Sequence, residues 1–427
     1  MIFMCARSPA MFLVLALFLV SPISLYAQES AGTSSFPTRL TLGLAEEILL
    51  MRNPTLLRER QKVVTARAGV TLARLIPNPE FELVSESYPL LEPGPGPFFQ
   101  RQELTARFGQ TIETGGKRQK RTQVAEQGVA VAQSFLQDIL RQLRLELRQR
   151  YYAVLLAKAN LELSREILAQ FDEIIRVNEA RYRQGEISGL DLTRVQTERR
   201  RFFDDFVEAE LQLRNAKIAL LEVLGITDMT VEFDVVERLE FSAFGAELPE
   251  LQEGALAARP DIVAQRGQVE RGRRQLTFER ALRTPDIAPL FGYKRNERDN
   301  TVVFGVLMSL PLFNRNQGGI ARASAEVEEH KYELQRVELV VRREVHQAYF
   351  TVKAREQEVR ALEAIYVPSA RRAREVAQTS YRLGALDLIV FLDAERAFRE
   401  TLRAYYQALH DHQVAAFALN AAVGREP

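Results

Sequence analysis

The chain has 427 residues, 46% of them hydrophobic, and its 57 basic side chains face 56 acidic ones. So even a balance offers no field for a polyanion, and nucleic acid is not an expected partner. A single cysteine, Cys5, excludes an intrachain disulfide and a zinc–thiolate cluster.

Residues 1–27 read as a secretory signal. Arg7 leads an apolar run from Met11 to Val20, Ser21 and Pro22 break it, and Ala27 suits cleavage before Gln28. The run is shorter than the ~20 residues a membrane anchor needs. Cys5 precedes it, so it is not a lipid-bearing cysteine at a cleavage site. No later stretch reads as a transmembrane helix, so entry into a membrane requires a β-barrel. Residues 28–40 form an N-terminal extension.

A first repeat spans 41–225. It opens with a helix from Thr41 to Leu75 containing Pro54, either a kink or the start of the regular part. Pro77-Asn78-Pro79 stops it, and a strand is expected over about 80–88, with Phe81 and Leu83 on one face. Pro89 to Gln100 carries Pro-Gly-Pro-Gly-Pro and reads as an exposed loop. Tyr88, Phe98 and Phe99 bracket it, as part of an interfacial aromatic girdle or as local packing. In the second strand, about 101–112, Gln102, Leu104, Ala106, Phe108, Gln110 and Ile112 alternate with Glu103, Thr105, Arg107 and Thr111. Gly115-Gly116 then lets the backbone switch from strand to helix in little space. Gly116-Lys117 is not a phosphate loop, because the spaced upstream glycine and a following Ser or Thr are missing.

The long helix expected over about 118–183 has apolar residues alternately three and four apart. They are Leu136, Leu140, Leu143, Leu147, Val154, Ala157, Leu161, Leu168, Phe171, Ile175 and Tyr182, with Arg150, Ser164 and Asn178 in the same register. A 3.5-residue repeat kept this long marks a coiled coil. Gly185-Glu186-Ile187-Ser188 ends the rod in a tight turn, and a return helix runs to Leu224-Gly225. Residues 226–247 link the copies, with a short strand expected at Thr230 to Phe233 in a mixed belt around the rods.

Residues 248–424 repeat the plan, leaving 425–427 as a tail. Gly185 to Gly384 and Gly225 to Gly424 are equal intervals, so the residues between align without a gap. Asn53-Pro54 answers Arg259-Pro260, and Pro77-Asn78 answers Pro285-Asp286. Strands are expected over 287–295 and 301–311, with Asn296 to Asn300 as a charged turn. Val302, Phe304, Val306, Met308 and Leu310 form an apolar face; Val303, Gly305, Leu307 and Ser309 form a smaller, more polar one suited to a lumen. Gly318-Gly319 stands at the second strand-to-helix junction, before a long helix over about 320–382. Gly384-Ala385-Leu386-Asp387 makes the second turn, where Asp387, like Ser188, can cap the return helix.

Four strands cannot close a barrel, and an open edge cannot face lipid. Barrels begin at about eight strands, so several chains must pool theirs. The fold class is therefore mainly α with a small β part, built on duplicated coiled-coil hairpins.

The duplicated plan, the signal and the tip motifs resemble the TolC-type outer-membrane efflux protein family over about Thr41 to Gly424. Pro77-Asn78-Pro79-Glu80 and Glu113-Thr114-Gly115-Gly116-Lys117-Arg118 resemble its heavy-metal (cobalt-zinc-cadmium, CzcC-like) branch. The resemblance implies a homotrimer with a twelve-stranded barrel in the outer membrane of a Gram-negative bacterium and a helical tunnel across the periplasm. It further implies docking onto a periplasmic adaptor (membrane fusion) protein and an inner-membrane resistance-nodulation-division pump, the chain being a passive exit duct for heavy-metal cations. A duct for drugs or type I secreted proteins keeps the same fold. A periplasmic adaptor or structural coiled coil would keep the hairpins but not two lipid-like strand pairs.

In the family the helix-to-helix turns are the periplasmic tip. Asp191 and Tyr381 align with its tip aspartate and tyrosine, which predicts a hydrogen bond from Tyr381 to Asp191 in the closed state. The arginine expected two residues after Gly384 is Leu386 here. Asp393 matches an acidic position that narrows the tunnel, and Val390 replaces its companion. Threefold symmetry would make Asp393 a cation-attracting ring of carboxylates; by itself it reads as a solvated helix aspartate. Nothing suggests an enzyme or a cofactor. His330, His346, His410 and His412 form no catalytic set, and His410 and His412, two apart on a helix, point to different faces.

Overall fold

Local signals set the helix ends. Thr41 caps α1 (Leu42–Arg52) by accepting the Leu44 N–H at 3.3 Å. Asn53 ends α1 and caps α2 (Pro54–Arg74), accepting the Leu56 N–H at 3.0 Å. Pro54 thus starts a second helix, where its missing N–H has no partner to lose. Pro260 divides α5 (Leu248–Ala258) from α6 (Pro260–Ala281) in the same way. The computed structural model describes residues 36–87, 102–296 and 299–425. The signal, the Pro-Gly loop with Tyr88, Phe98 and Phe99, the centre of the second hairpin turn and the last two residues lie outside the described residues. All that follows belongs to the unit beginning at Thr38.

The first rod, α3 (Lys117–Arg183), is one helix of 67 residues, about 100 Å long. Its seam residues Leu143, Leu147, Val154, Leu161 and Phe171 are buried, and so are Ser164 and Asn178, whereas Arg150 is exposed. Each fully buried Leu or Phe contributes about 1.5–3 kcal/mol. Antiparallel α4 (Gly189–Leu224) completes the first hairpin.

The second rod is not one regular helix. It runs as α7 (Gln317–Ala361), a π-turn at Leu362–Tyr366, and α8 (Val367–Arg382). Pro368 supplies the reason. It has no N–H to give and its ring would press on the preceding turn, and widening that turn relieves both problems. The return helix is α9 (Leu388–Val423).

Both return helices are tied down at their C-termini at the same repeat position. Asn53 Nδ2 donates to the Val223 carbonyl at 2.8 Å, and Arg259 Nη1 donates to the Ala422 carbonyl at 3.0 Å. Arg141 Nη1 adds a bond to the Ala421 carbonyl at 2.9 Å. Gly225 (φ 73°) and Gly424 (φ 80°) end the helices in the left-handed region. A Cβ on Gly225 would lie 2.6 Å from the Arg52 carbonyl oxygen, so only glycine fits.

The linker strand differs from the sequence expectation. It is β4 (Asp234–Val235), not Thr230 to Phe233, and it pairs in parallel with β1 (Arg39–Leu40) of the N-terminal extension. Leu40 and Val235 are buried, and the Tyr151 hydroxyl of α3 donates to the Leu40 carbonyl at 2.8 Å. Burial against the rods selects this pairing.

The four remaining strands form one antiparallel sheet in the order β2 (Glu80–Glu86), β3 (Glu103–Gly109), β5 (Ile287–Asn296), β6 (Asp299–Met308). The β3–β5 ladder joins the two repeats, and β2 and β6 are its edges. β5 and β6 approach the turn more closely than expected, pairing Asn296 with Asp299.

Candidate functional site

Register turns scattered phenylalanines into one feature. Phe81 pairs with Phe108, Phe108 with Phe291, and Phe291 with Phe304, a rung across all four strands. The four are 68%, 51%, 56% and 77% exposed. The next rung on that face is Leu83, Ala106, Tyr293 and Val302, and Val306 and Met308 continue the face toward the helices. The opposite face carries Glu82 with Arg107 at 3.6 Å and Glu103 with Lys294 at 3.2 Å. One side of this sheet is thus fit for hydrocarbon and the other for water. Sequence reading found the alternation but not the phenylalanine rung, because pairing across strands aligns it.

Of the junction glycines, Gly115 (φ 64°) and Gly116 (φ 67°) take left-handed backbone, as expected. Gly318 and Gly319 do not; they lie inside α7, and Asn316 (φ 57°) makes the second turn. Asparagine tolerates that region, and its Nδ2 is held by Glu279 Oε2 at 2.7 Å. A Cβ on Gly319 would stand 2.7 Å from the same carboxylate oxygen, so the Glu279 side chain would have to shift to admit one. On the first copy, Lys117 is buried and meets Asp286 at 2.7 Å, while Arg121 pairs with Glu113 at 2.5 Å.

At the far end both tip turns have the same backbone. The Glu186 N–H bonds to the Arg181 carbonyl at 2.9 Å, and the Ala385 N–H to the Ser380 carbonyl at 2.9 Å. Gly185 (φ 78°) and Gly384 (φ 72°) supply the left-handed residue of this Schellman closure. Ile187 and Leu386 follow within the turns, half-buried. Ser188 caps α4 by accepting the Asp191 N–H at 3.1 Å, but the Asp387 side chain makes no cap bond to α9.

Tyr381 is buried where α3, α8 and α9 meet, and its ring stacks on Phe391 at 4.9 Å and 11°. Its hydroxyl donates to Asn178 Oδ1 at 2.6 Å, not to Asp191. Asp191 instead accepts from the Ser188 hydroxyl at 2.7 Å and reaches Arg194 at 3.9 Å. Its own cap neighbour is nearer than a tyrosine that already has a buried acceptor. Burial foremost, with the Asp191 charge, raises the Tyr381 pKa against the Asn178 bond and the Arg181 charge. Asp393 shares no hydrogen bond or ion pair with either; its side chain is 63% exposed and meets Arg396 at 3.3 Å.

Two buried ionisable groups lie on α9. Glu395 meets Arg374 at 3.0 Å, and burial raises its pKa despite the arginine. His412 is 1% exposed, packs against the Phe241 ring of the linker at 5.0 Å and a tilt of 54°, and has no hydrogen-bond partner on either ring nitrogen. Polar residues at seam positions are a usable signal, since Asn178 and Ser164 interrupt the apolar register and both are buried. Among the described residues no group of three or more His, Cys, Asp and Glu is placed to hold a metal ion. None of the described helices is long and apolar enough to cross a membrane.

Residues 47–226 and 251–425 match the outer membrane efflux protein family. The cobalt-zinc-cadmium resistance protein CzcC of Cupriavidus metallidurans is 26% identical over 423 residues, 96% of this chain and 98% of the relative. The nickel-cobalt-cadmium resistance protein NccC of Alcaligenes xylosoxydans xylosoxydans is 25% identical over 278 residues, 64% of this chain and 61% of the relative. The crystal structure of CusC superposes with a TM-score of 0.75 at 19% identity, covering 94% of this chain and 96% of that one, and so shares the fold.

Proposed function

Because the chain belongs to the outer membrane efflux protein family, we propose that three copies close one passive exit duct for heavy-metal cations, fed by an inner-membrane pump through a periplasmic adaptor. The carrying observation is the four-stranded sheet with two edges and an apolar rung on one face. Open edges in lipid cost several kcal/mol per unpaired backbone group, and three sheets joined edge to edge remove them in a twelve-stranded barrel. The rods, about 100 Å long, continue the wall through the periplasm, and residues 1–27 direct the chain there. Heavy metals are favoured as cargo because the relative matched over 96% of this chain is named for cobalt-zinc-cadmium resistance and the second for nickel-cobalt-cadmium resistance. Asp191, Tyr381 and Asp393 line the gate, the turns at Gly185 to Ser188 and Gly384 to Asp387 meet the adaptor, and Gly115 and Gly116 turn barrel into tunnel.

Deletion followed by growth on zinc, cobalt, cadmium, nickel, copper and common antibiotics tests the cargo. Loss of tolerance to metals alone is expected; loss confined to antibiotics would replace this reading with a drug duct. A detergent-free, water-soluble monomer with no conductance in planar lipid would end the channel reading itself.

A further inference from the structure

Three arginines at the second strand-to-helix junction have no carboxylate partner among the described residues. Arg280 lies in the last turn of α6, Arg283 just beyond it and Arg315 just before α7, all exposed. Other cations at the two junctions are matched: Lys117 by Asp286 at 2.7 Å, Arg121 by Glu113 at 2.5 Å, and Arg322 by Glu326 at 3.7 Å. The neighbouring Glu279 carboxylate is buried and engaged elsewhere, by Gln275 at 2.9 Å and Asn316 at 2.7 Å. Arg315 Nε donates to the Pro311 carbonyl at 3.3 Å, which leaves the outer nitrogens of its fork free. The three side chains line one cleft of about 630 Å³ with Leu312, Phe313 and Ile320. Leu310, Leu312 and Phe313 follow the end of β6 and are 66%, 64% and 92% exposed, extending the apolar face of Phe304, Val306 and Met308.

We propose that this cleft binds the phosphate of an anionic phospholipid in the leaflet next to the helices, with Leu312 and Phe313 against the lipid chains. The proposal rests on the reading of the sheet as a barrel wall in lipid and names a ligand for its helix-side rim. An arginine fork matches two phosphate oxygens at once and loses its water more readily than an ammonium group. The helix dipole accounts for Arg280 and Arg283 at the C-terminal end of α6, but it opposes Arg315 at the N-terminal end of α7. An anion between the two helices offsets all three charges, and the free N–H groups of the first turn of α7 favour the same anion. The mixed lining selects the source of the phosphate. A free ion gains nothing from Leu312 and Phe313, whereas a phospholipid covers them with hydrocarbon. A zwitterionic headgroup would bring its own cation beside three arginines, which an anionic one does not.

The chain has no tryptophan, so Phe313→Trp places a single fluorophore in the cleft, at a side chain already 92% exposed. The full mature chain carrying it is assembled in phosphatidylcholine bilayers doped with brominated phosphatidylglycerol or brominated phosphatidylcholine. Phosphatidylglycerol should quench at about a hundredfold lower mole fraction, from about fivefold for each of the three arginines. In that background Arg280→Gln, Arg283→Gln and Arg315→Gln should each reduce the preference about fivefold, and the three together should abolish it. Arg336→Gln, whose arginine pairs with Glu333 farther along α7, should leave it unchanged. Equal quenching by the two lipids, a preference that survives the triple variant, or displacement by inorganic phosphate at constant ionic strength would overturn the proposal. Loss of the assembled form in the triple variant, with Arg336→Gln still assembled, would mean that a second copy covers the cleft and would overturn it too. Quenching by neither lipid, from a chain left outside the bilayer, would sink the barrel reading itself, a distinguishable failure.

Discussion

Arg259→Ala tests what ties the end of the second hairpin to the body of the molecule. The guanidinium is 3% exposed, meets Asp261 at 2.7 Å and Glu344 at 2.6 Å, and donates to the Ala422 carbonyl at the end of α9. Removing one member of a buried ion pair costs about 3–5 kcal/mol. Here the carboxylates left behind are 22% and 38% exposed, so water recovers part of that loss. The lost bond to Ala422 adds about 1 kcal/mol. The expected destabilisation is therefore about 3 kcal/mol, enough to fray the last turns of α9. Burial alone would raise the Asp261 carboxyl, but hydrogen bonding and charge from Arg259 outweigh it and hold the pKa below the ordinary 3.8. That contribution is present above 3.8 and is lost as pH falls through the lower folded value. The assay is thermal and urea unfolding of the assembled protein, followed by helical circular dichroism and by exchange of the amides in the last turns of α9. Arg259→Met/Asp261→Asn/Glu344→Gln should recover most of the loss, because no buried charge is then left unpaired. An Arg259→Ala protein within about 1 kcal/mol of the parent, or a triple variant worse than the single, would refute the reasoning.

Gly115→Ala should cost about 1–2 kcal/mol in unfolding assays, since its φ is 64° and a Cβ would press on Thr284 at 3.2 Å, whereas Gly318→Ala should stabilise α7 by about 0.5–1 kcal/mol. Phe304→Lys should reduce insertion into vesicles, by up to about 2–4 kcal/mol if the rung lies near mid-bilayer, while Val303→Lys on the opposite face should insert normally. Burial holds the His412 pKa below the ordinary 6.5, against the pull of the Glu356 carboxylate. The folded value being depressed, stability is full above 6.5 and declines as pH falls through that folded value; His412→Phe should flatten a melting-temperature profile there. Asp393→Asn should lower cation preference in a reversal-potential measurement, and unchanged preference would dismiss a carboxylate ring.

Much of the helical architecture was legible because its determinants are local. The seam of α3, the cap at Ser188 and the turn glycines Gly185 and Gly384 each act over a few residues. Equal spacing between copies then made the duplication plain. Errors arose where a local motif had two outcomes. Gly318-Gly319 looked like the turn that Asn316 makes, and the apolar pattern around Pro368 concealed a π-turn that only a proline-bearing rod needs.

The amino-acid sequence by itself determined the rods, their turns, the strand alternation and the shortage of strands, because helix and strand periodicity are properties of neighbouring residues. Tertiary structure alone decided that Tyr381 bonds to Asn178 rather than Asp191, that β1 meets β4, and that four phenylalanines share a rung. Those choices compare partners far apart in the chain, and burial, packing and strand register settle them.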